Sequence, residues 1–414
     1  MLCGLFYSSI PNDRLYTPFD YHLALAQTIL SGDLSVENPS NTHDLALYQQ
    51  NYYLPWGITP ALLLIPFRLV FQSQTNGMML MIPILFVSLF VWLAIYRQLR
   101  TRRWVNLTNH QIILFSLLTT FGTLFYYIVT NGGVWFISQA ITFLFMSLSL
   151  LFLIKQGNNT KLVSSVFFAL SFLTRNVIAI FLIPYYGLLF YFDRKERQPN
   201  SSLSFVRVIL LLLPLVIAIF FQLGYNDVRF DDPLESGYSY QQVAPRFVSD
   251  IETHGILSSY YTAHNLKIYL FNPVYYDLQS PYLHFDYEGN SFWSYQLYFW
   301  IIVIALGVLL HTSMRVKHKN RYLLTVITNQ KKMFIVGLIS MWVLFFAFVQ
   351  FTIGTGWRQF GSRYLLDVEP FILLLTVFSF DYIKKNQLIR YVSYALIVLS
   401  IIIAVYAKRL FNGF

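Results

Sequence analysis

Long apolar runs broken by short polar connections dominate this chain. Residues 77–96 form 20 positions without a charged side chain, about 30 Å as a helix and long enough to cross a bilayer. Residues 110–130, 133–154, 203–224, 293–314, 333–353, 364–383 and 388–407 read the same way, as apolar helices of membrane length. The sign of the connections gives the direction of travel, because cytoplasmic loops collect Lys and Arg. Arg97, Arg100, Arg102 and Arg103 end the first run on the inside, and Lys155 and Lys161 mark the next inner turn. Between Arg315 and Lys332 there are six basic residues and no acid, the clearest inner connection in the chain.

One run does not fit a single crossing. Residues 162–192 carry Lys161 before them and Arg194, Lys195 and Arg197 after them, so both ends belong inside. An even number of crossings is required, and the run therefore predicts a hairpin with arms of about 15 residues, short of the hydrocarbon thickness. Its tip, Thr174-Arg175-Asn176, falls below the outer surface. A charge and irregular backbone at that depth are tolerated where they line a protein cavity. The count comes to ten crossings, two of them short.

Composition agrees with this pattern: 56% of the 414 residues are hydrophobic and 12% charged. The fold class is an all-α polytopic membrane protein. A net charge of +10 does not mark a nucleic-acid protein here, because the basic residues sit in clusters beside apolar runs. Cys3, the lone cysteine, excludes an intrachain disulfide and a cysteine metal site. Residues 1–76 hold Asp13, Asp20, Asp33, Glu37 and Asp44 against Arg14 and Arg68, and residues 225–292 hold nine acids against three basic residues. Both segments are predicted outside the membrane. The domain reading is an extracytoplasmic first loop, 1–76, followed by a transmembrane bundle, 77–414, that includes the extracytoplasmic loop 225–292. Residues 1–10 are too short to span, so a membrane helix preceding this sequence is expected to have carried the first loop across; a natural N-terminus translocated without one is the alternative. Lys408 and Arg409 come out on the outer side, against the rule.

Chemistry is expected in the first loop. Asp20 precedes a short amphipathic helix (Leu23, Ala24, Ala26, Gln27, Leu30), and Gly32 stands where a left-handed C-cap is wanted. Asp44 precedes the aromatic run Tyr48, Tyr52, Tyr53 and Trp56, which ends in the turn residues Pro55, Gly57 and Pro60. Asp20 reads either as a general base or as a helix cap, and Asp44 as a site acid or a solvated one. The aromatic run reads as a sugar-stacking platform or as an interfacial belt. Arg175, Arg358 and Arg363 are arginines on the outward side. They suit a phosphate clamp, since guanidinium offers bidentate donors to a departing phosphate; lipid headgroups or a helix C-terminus are the structural alternatives. Asp367 and Glu369 either pair with Arg363 or face a cavity. No cofactor is called for. A divalent metal on Asp20 with His22, or on His43 with Asp44, stays open as an alternative, with no third or fourth ligand indicated.

These features, taken together, resemble the C-type membrane glycosyltransferases (GT-C fold), in particular the branch of protein O-mannosyltransferases and lipid A aminoarabinose transferases. The resemblance rests on Asp20-Tyr21 followed by Leu30-Ser31-Gly32-Asp33, on Tyr53-Leu54-Pro55-Trp56-Gly57-Ile58-Thr59-Pro60, on Arg175 in Leu173-Thr174-Arg175-Asn176, and on Arg363-Tyr364-Leu365-Leu366 with Pro370. Each match is short, but their order spans most of the chain. The resemblance implies a GT-C-like helical bundle whose extracytoplasmic loops carry short helices. It also implies Asp20 in the catalytic acidic position and a polyprenyl-phosphate sugar as donor, with Arg175 and Arg363 on its phosphate. A Glu-Lys-Pro-Pro element of the aminoarabinose branch is missing, and the sequence holds no large C-terminal extracytoplasmic domain, which leaves sugar and acceptor open.

The expected function is an inverting, polyprenyl-phosphate-sugar-dependent glycosyltransferase of the cell envelope. Asp20 would be catalytic, with Asp44, Tyr53, Arg175, Arg358, Arg363 and Tyr364 on the substrates. Its expected partners are the lipid-linked donor, an unnamed lipid, glycan or protein acceptor and the bilayer, with no nucleic acid; its expected place is the bacterial cytoplasmic membrane, multi-pass. A lipid-linked sugar flippase or other membrane transporter, and a polysaccharide polymerase or ligase, are the rival classes. Runs 77–96, 110–130, 133–154, 293–314, 333–353 and, apart from Arg390 near its end, 388–407 hold no Asp, Glu, Lys or Arg in mid-membrane, which argues against an ion-coupled pathway.

Overall fold

A computed structural model of the chain describes residues 17–157, 159–197, 204–315, 328–357 and 359–410. The first loop holds α1 (Tyr21–Leu30), a hairpin of β1 (Ala46–Tyr48) and β2 (Asn51–Tyr53), and α2 (Thr59–Phe71). The bundle begins with α3 (Met78–Thr101), α4 (Asn109–Phe121), α5 (Leu124–Val129), α6 (Val134–Ile154), α7 (Thr160–Thr174), α8 (Leu182–Arg197) and α9 (Phe205–Phe230). The second polar segment carries α10 (Pro245–His254), α11 (Thr262–Leu266), the strand pair β3 (Tyr275–Tyr276) and β4 (Leu283–His284), and α12 (Phe292–Tyr295). Then follow α13 (Phe299–Arg315), α14 (Asn329–Val349), α15 (Glu369–Ile383) and α16 (Gln387–Leu410). Six helical stretches among the described residues are long and apolar enough to cross a membrane, and Thr160–Thr174 and Phe299–Thr312 are shorter apolar helices. The chain is an all-α polytopic membrane protein, as the apolar runs predict.

Local chemistry explains where the elements start and stop. α1 begins one residue after Asp20, earlier than its apolar pattern predicts. Beyond it Gly32 takes φ 85°, with Asp33 N–H on the Thr28 carbonyl (2.9 Å) and Gly32 N–H on that of Ile29 (3.1 Å). These are the two bonds of a Schellman ending. The run 110–130 is not one helix: the chain breaks at Gly122, and the Thr123 hydroxyl restarts it by accepting from Phe125 N–H. The run 203–224 extends to Phe230, and 364–383 opens as a 3₁₀ turn, Arg363–Val368, before α15.

The hairpin predicted over 162–192 is present, its arms reaching from Thr160 to Arg197, but only the first arm is short: Asn176–Glu196 is 21 residues long, enough to cross a membrane. Ser164 and Ser165 meet Tyr185 and Tyr186 across it, at 2.7 and 2.8 Å, and Phe168 stacks on Tyr185 at 4.0 Å. Contacts between these positions require a fold-back about Arg175. At the open end Lys161 Nζ donates to Glu196 at 2.7 Å, and Arg102 also bonds that carboxylate. At the tip Arg175 leaves α7 in extended conformation, φ −144° and ψ 110°, and a 3₁₀ turn, Asn176–Phe181, leads into α8.

Of the six long helices α6 is the most enclosed: 78% of its apolar stretch is buried inside the protein, against 22% for Phe205–Phe230. Its hydroxyls point back along the helix, Ser138 to Val134 O and Thr142 to Ser138 O, so polar side chains are satisfied in an apolar setting. Ser149 on α6 adds bonds to Ser164 and Tyr185 of the hairpin. Helix directions therefore sort the residues to two ends. Arg102, Ile154, Lys161 and Glu196 gather at one, while Gly77, Trp135 and Arg175 begin or end the same helices at the other. The first loop closes over the second end. Val134 N–H donates to Phe19 O at 3.0 Å, and Gly57 lies against the hairpin tip.

That last contact is close enough to test. A Cβ at Gly57 would stand 1.9 Å from the Leu173 carbonyl oxygen and 2.8 Å from that of Thr174, both main-chain atoms that cannot swing away. Gly57→Ala is expected to destabilise the protein by roughly 1–3 kcal/mol, as overpacking against backbone does. A thermal midpoint in detergent equal to that of the parent protein would contradict this docking of loop on hairpin.

Candidate functional site

Asp20 sits where two helices begin. It precedes α1, and the N–H groups of Leu23, in that helix, and of Gly77, at the start of α3, lie toward its carboxylate. Both helix N-termini favour a negative charge there. Burial opposes them: Oδ1 is buried and accepts no hydrogen bond, and the side chain makes no regular capping bond. Burial prevails, pushing the carboxyl up from 3.8 to about 7 despite the N–H groups of Gly77 and Leu23. A carboxylate so placed is suited to accept a proton near neutral pH.

Trp135, in the first turn of α6, links the first loop to the arginine side of the site. Its indole Nε1 donates to Asp44 Oδ2 at 3.0 Å, and His43 Nε2 lies 3.7 Å from the same oxygen. Asp44 itself takes the left-handed conformation, φ 66°, with its N–H on Gln242 O at 2.8 Å. Burial raises its pKa, opposed by His43, the Trp135 bond and Arg363. Phe19 packs on the Trp135 ring at 5.0 Å and Trp56 at 6.2 Å.

Arg363 is held by rings. Its guanidinium carbon lies 5.5 Å from the Trp135 centroid, 5.6 Å from Phe136 and 5.5 Å from Tyr364. The residue is 7% exposed, its Nε is buried with no hydrogen-bond partner, and no carboxylate among the described residues forms an ion pair with it. Cation–π contact offsets part of the desolvation of such a charge, not all of it. Its backbone is fixed instead. Arg363 N–H donates to Gln359 Oε1 (3.2 Å), Arg363 O accepts from Gln139 (3.1 Å), and Ser362 N–H donates to the Tyr295 hydroxyl (3.0 Å).

Arg175 differs, because Asp367 neutralises it: Nη2 lies 2.9 Å from Oδ2. Asp367 thus pairs with the hairpin tip and not with Arg363. Glu369 does neither, since it is sealed in the bundle with Tyr298 and Gln296 on its two oxygens. Arg175 Nε, Asn176 Oδ1 and Asp367 Oδ1 are buried without hydrogen bonds, and so is the Tyr269 hydroxyl, within electrostatic reach of Arg363 and Tyr364. Buried polar atoms are rarely left so, and several in one region mark a place where a polar ligand can be held.

The expected residues therefore divide. Asp44 and Arg363 come together on Trp135, with Tyr364 against the guanidinium, and Tyr238 lies within electrostatic range of Arg175, Tyr364 and Asp44. Asp20 follows Phe19, whose ring packs on Trp135, and its own neighbours are the N–H groups of Leu23 and Gly77. Tyr53 turns away: its ring packs on Phe230 at 5.5 Å, as does that of Tyr48 at 5.7 Å. Arg358 lies outside the described residues. Trp135, Phe136, Tyr238 and Tyr269 are the additions that sequence did not single out. Trp135 alone carried a signal, an aromatic just after the 131–132 turn. As for a metal, His22 Nε2 is engaged with the Ser138 hydroxyl at 2.8 Å. Among the described residues no three His, Cys, Asp or Glu gather as ligands.

The raised Asp20 pKa has a stability consequence with a definite sign. Between 3.8 and about 7 the folded chain keeps a proton that the unfolded chain has lost, so stability falls as pH rises through that window and levels off above it. Asp20→Asn removes the titration. The thermal midpoint of Asp20→Asn relative to the parent should rise across that window and stay level above about 7, and a difference independent of pH would show that burial does not shift Asp20.

No family model matches this chain, and no curated protein matches it. Among solved structures it is similar to the crystal structure of the Archaeoglobus fulgidus oligosaccharyltransferase tethered to an acceptor peptide containing the NVT sequon: 12% identity over 100% of this chain and 55% of that one, with a TM-score of 0.47. The chain thus spans about half the length of that enzyme.

Proposed function

We propose that this chain is an inverting glycosyltransferase that takes a sugar from a polyprenyl-phosphate donor at the outer face of the bacterial cytoplasmic membrane. The single observation that carries this reading is Arg363, a buried guanidinium that forms no ion pair among the described residues, set among aromatic rings on the same indole that holds the Asp44 carboxylate. A cation desolvated in that way is best completed by an anion, and a phosphate accepts from guanidinium in two-point fashion. The order of short motifs that resembles the GT-C enzymes points the same way.

In the proposed reaction, a hydroxyl or amine of the acceptor attacks the anomeric carbon of the sugar. The bond from that carbon to the phosphate oxygen breaks, and the electron pair leaves with the polyprenyl phosphate. The proton of the attacking group passes to Asp20. Arg363 stabilises the charge that gathers on the phosphate, and Tyr364 and Trp135 fix the guanidinium. Arg175 takes part through the hairpin tip, its charge shared with Asp367. Asp44, held by Trp135, stands on the sugar side. One carboxylate suffices as base, since a phosphate leaving group needs no acid.

Transfer assays with defined polyprenyl-phosphate sugars and candidate acceptors test the reading. Asp20→Asn should keep donor binding and lose about 10²-fold or more in turnover. Arg363→Ala should weaken donor binding and turnover together. Near-normal turnover in Asp20→Asn, with folding and binding verified, moves the base elsewhere. A purified protein that carries the lipid-linked sugar between leaflets yet transfers it to no acceptor is a flippase, and the enzyme reading fails.

A further inference from the structure

The opposite end of the bundle holds a second arginine site, unrelated to the one above. Arg97 and Arg100 lie three residues apart on α3, so both project from one face just beyond the charge-free run. With Asn109, Ile112 and Ile113 of α4 they line an open crevice of about 400 Å³. Arg100 is fixed in its wall, donating to Asn109 Oδ1 at 2.7 Å and to Leu107 O at 3.3 Å. Arg97 is exposed, and its guanidinium makes no hydrogen bond or ion pair among the described residues. Below the two cations the lining turns apolar: Ile112 is buried, and Ile113 is half exposed on the outer surface of the bundle.

Every described acid at this end is engaged elsewhere. Glu196 is bound by Arg102 and Lys161, Asp193 by Arg207, and Asp381 by Lys384 and the Asn106 N–H. The crevice therefore keeps an uncompensated double positive charge above an apolar floor. That combination is complementary to one molecule class, with a phosphodiester at the level of the two guanidinium groups and an acyl chain running down along Ile112 and Ile113. We propose that this crevice binds the headgroup of an anionic glycerophospholipid of the inner leaflet. Bound there, the lipid bridges α3 and α4.

The test uses the full chain, reconstituted with phosphatidylglycerol and phosphatidylcholine, then exchanged into detergent and weighed intact with its retained lipids by native mass spectrometry. The parent should retain phosphatidylglycerol over phosphatidylcholine. Arg97→Gln with Arg100→Gln should lower that retention by about tenfold or more. The pair Lys385→Gln with Arg390→Gln removes the same charge from the same end and should leave it unchanged. Arg97→Lys with Arg100→Lys, which keeps charge but not the planar fork, should retain an intermediate amount. Equal loss in both neutralised pairs would mean diffuse attraction to the whole basic end, and full retention in the Arg97, Arg100 pair would place the lipid elsewhere. Either result overturns the proposal. Displacement of the lipid by inorganic phosphate would overturn it as well, by making the site one for free phosphate.

Discussion

A guanidinium buried among aromatic rings, with no ion pair among the described residues, is the constraint around which one end of this protein is arranged. Arg363 is 7% exposed and faces Trp135, Phe136 and Tyr364, none of which can neutralise it. The unfavourable desolvation is tolerated because the surroundings hold the residue in place from its backbone, through Gln359, Gln139 and the bond from Ser362 N–H to Tyr295. The contrast with Arg175 is instructive. Arg175 is given Asp367, and the resulting ion pair fastens the hairpin tip to the turn that carries Arg363.

The fold serves this arrangement from both ends. Polar clasps at the basic end, where Lys161 and Arg102 share Glu196, close the open end of the hairpin. Serine and tyrosine bonds run up its middle, and the tip comes out at Arg175. On the other side α6 brings Trp135 to the surface of the same site, and Phe19 of the first loop packs on it. Trp135 is then shared, with its edge on Asp44 and its ring toward Arg363. That sharing couples the acidic first loop to the cationic turn more than 200 residues later.

Much of the fold was legible in the sequence because a bilayer imposes simple arithmetic. Apolar length gives the helices, basic clusters give direction, and parity forces the run 162–192 to turn back at Arg175. Gly32 was legible for a local reason, the positive φ that a helix ending requires. The hairpin Ala46–Tyr48 with Asn51–Tyr53 was not, because its turn uses Gln49 and Gln50 at positive φ where Asn-Gly is the usual signal. Tyr53 was misplaced for the same reason: on a strand its ring is committed to Phe230, whereas in an irregular loop it was free to join the site. Asp367 and Glu369 are two residues apart and look alike in sequence, yet one faces the hairpin tip and the other the bundle interior. Their partners, Arg175 and Tyr298, lie 192 and 71 residues away, and no local pattern reports them.

The central claim is that the uncompensated charge of Arg363 is completed by the phosphate of a lipid-linked sugar. An experimental structure of the full chain with a polyprenyl-phosphate sugar bound tests it most directly. The phosphate is expected within hydrogen-bond distance of the Arg363 guanidinium, with the sugar between it and the Asp20 and Asp44 side of the Trp135 ring. A donor phosphate held by other residues, with Arg363 still enclosed by its three aromatic neighbours and touching no anion, would contradict it.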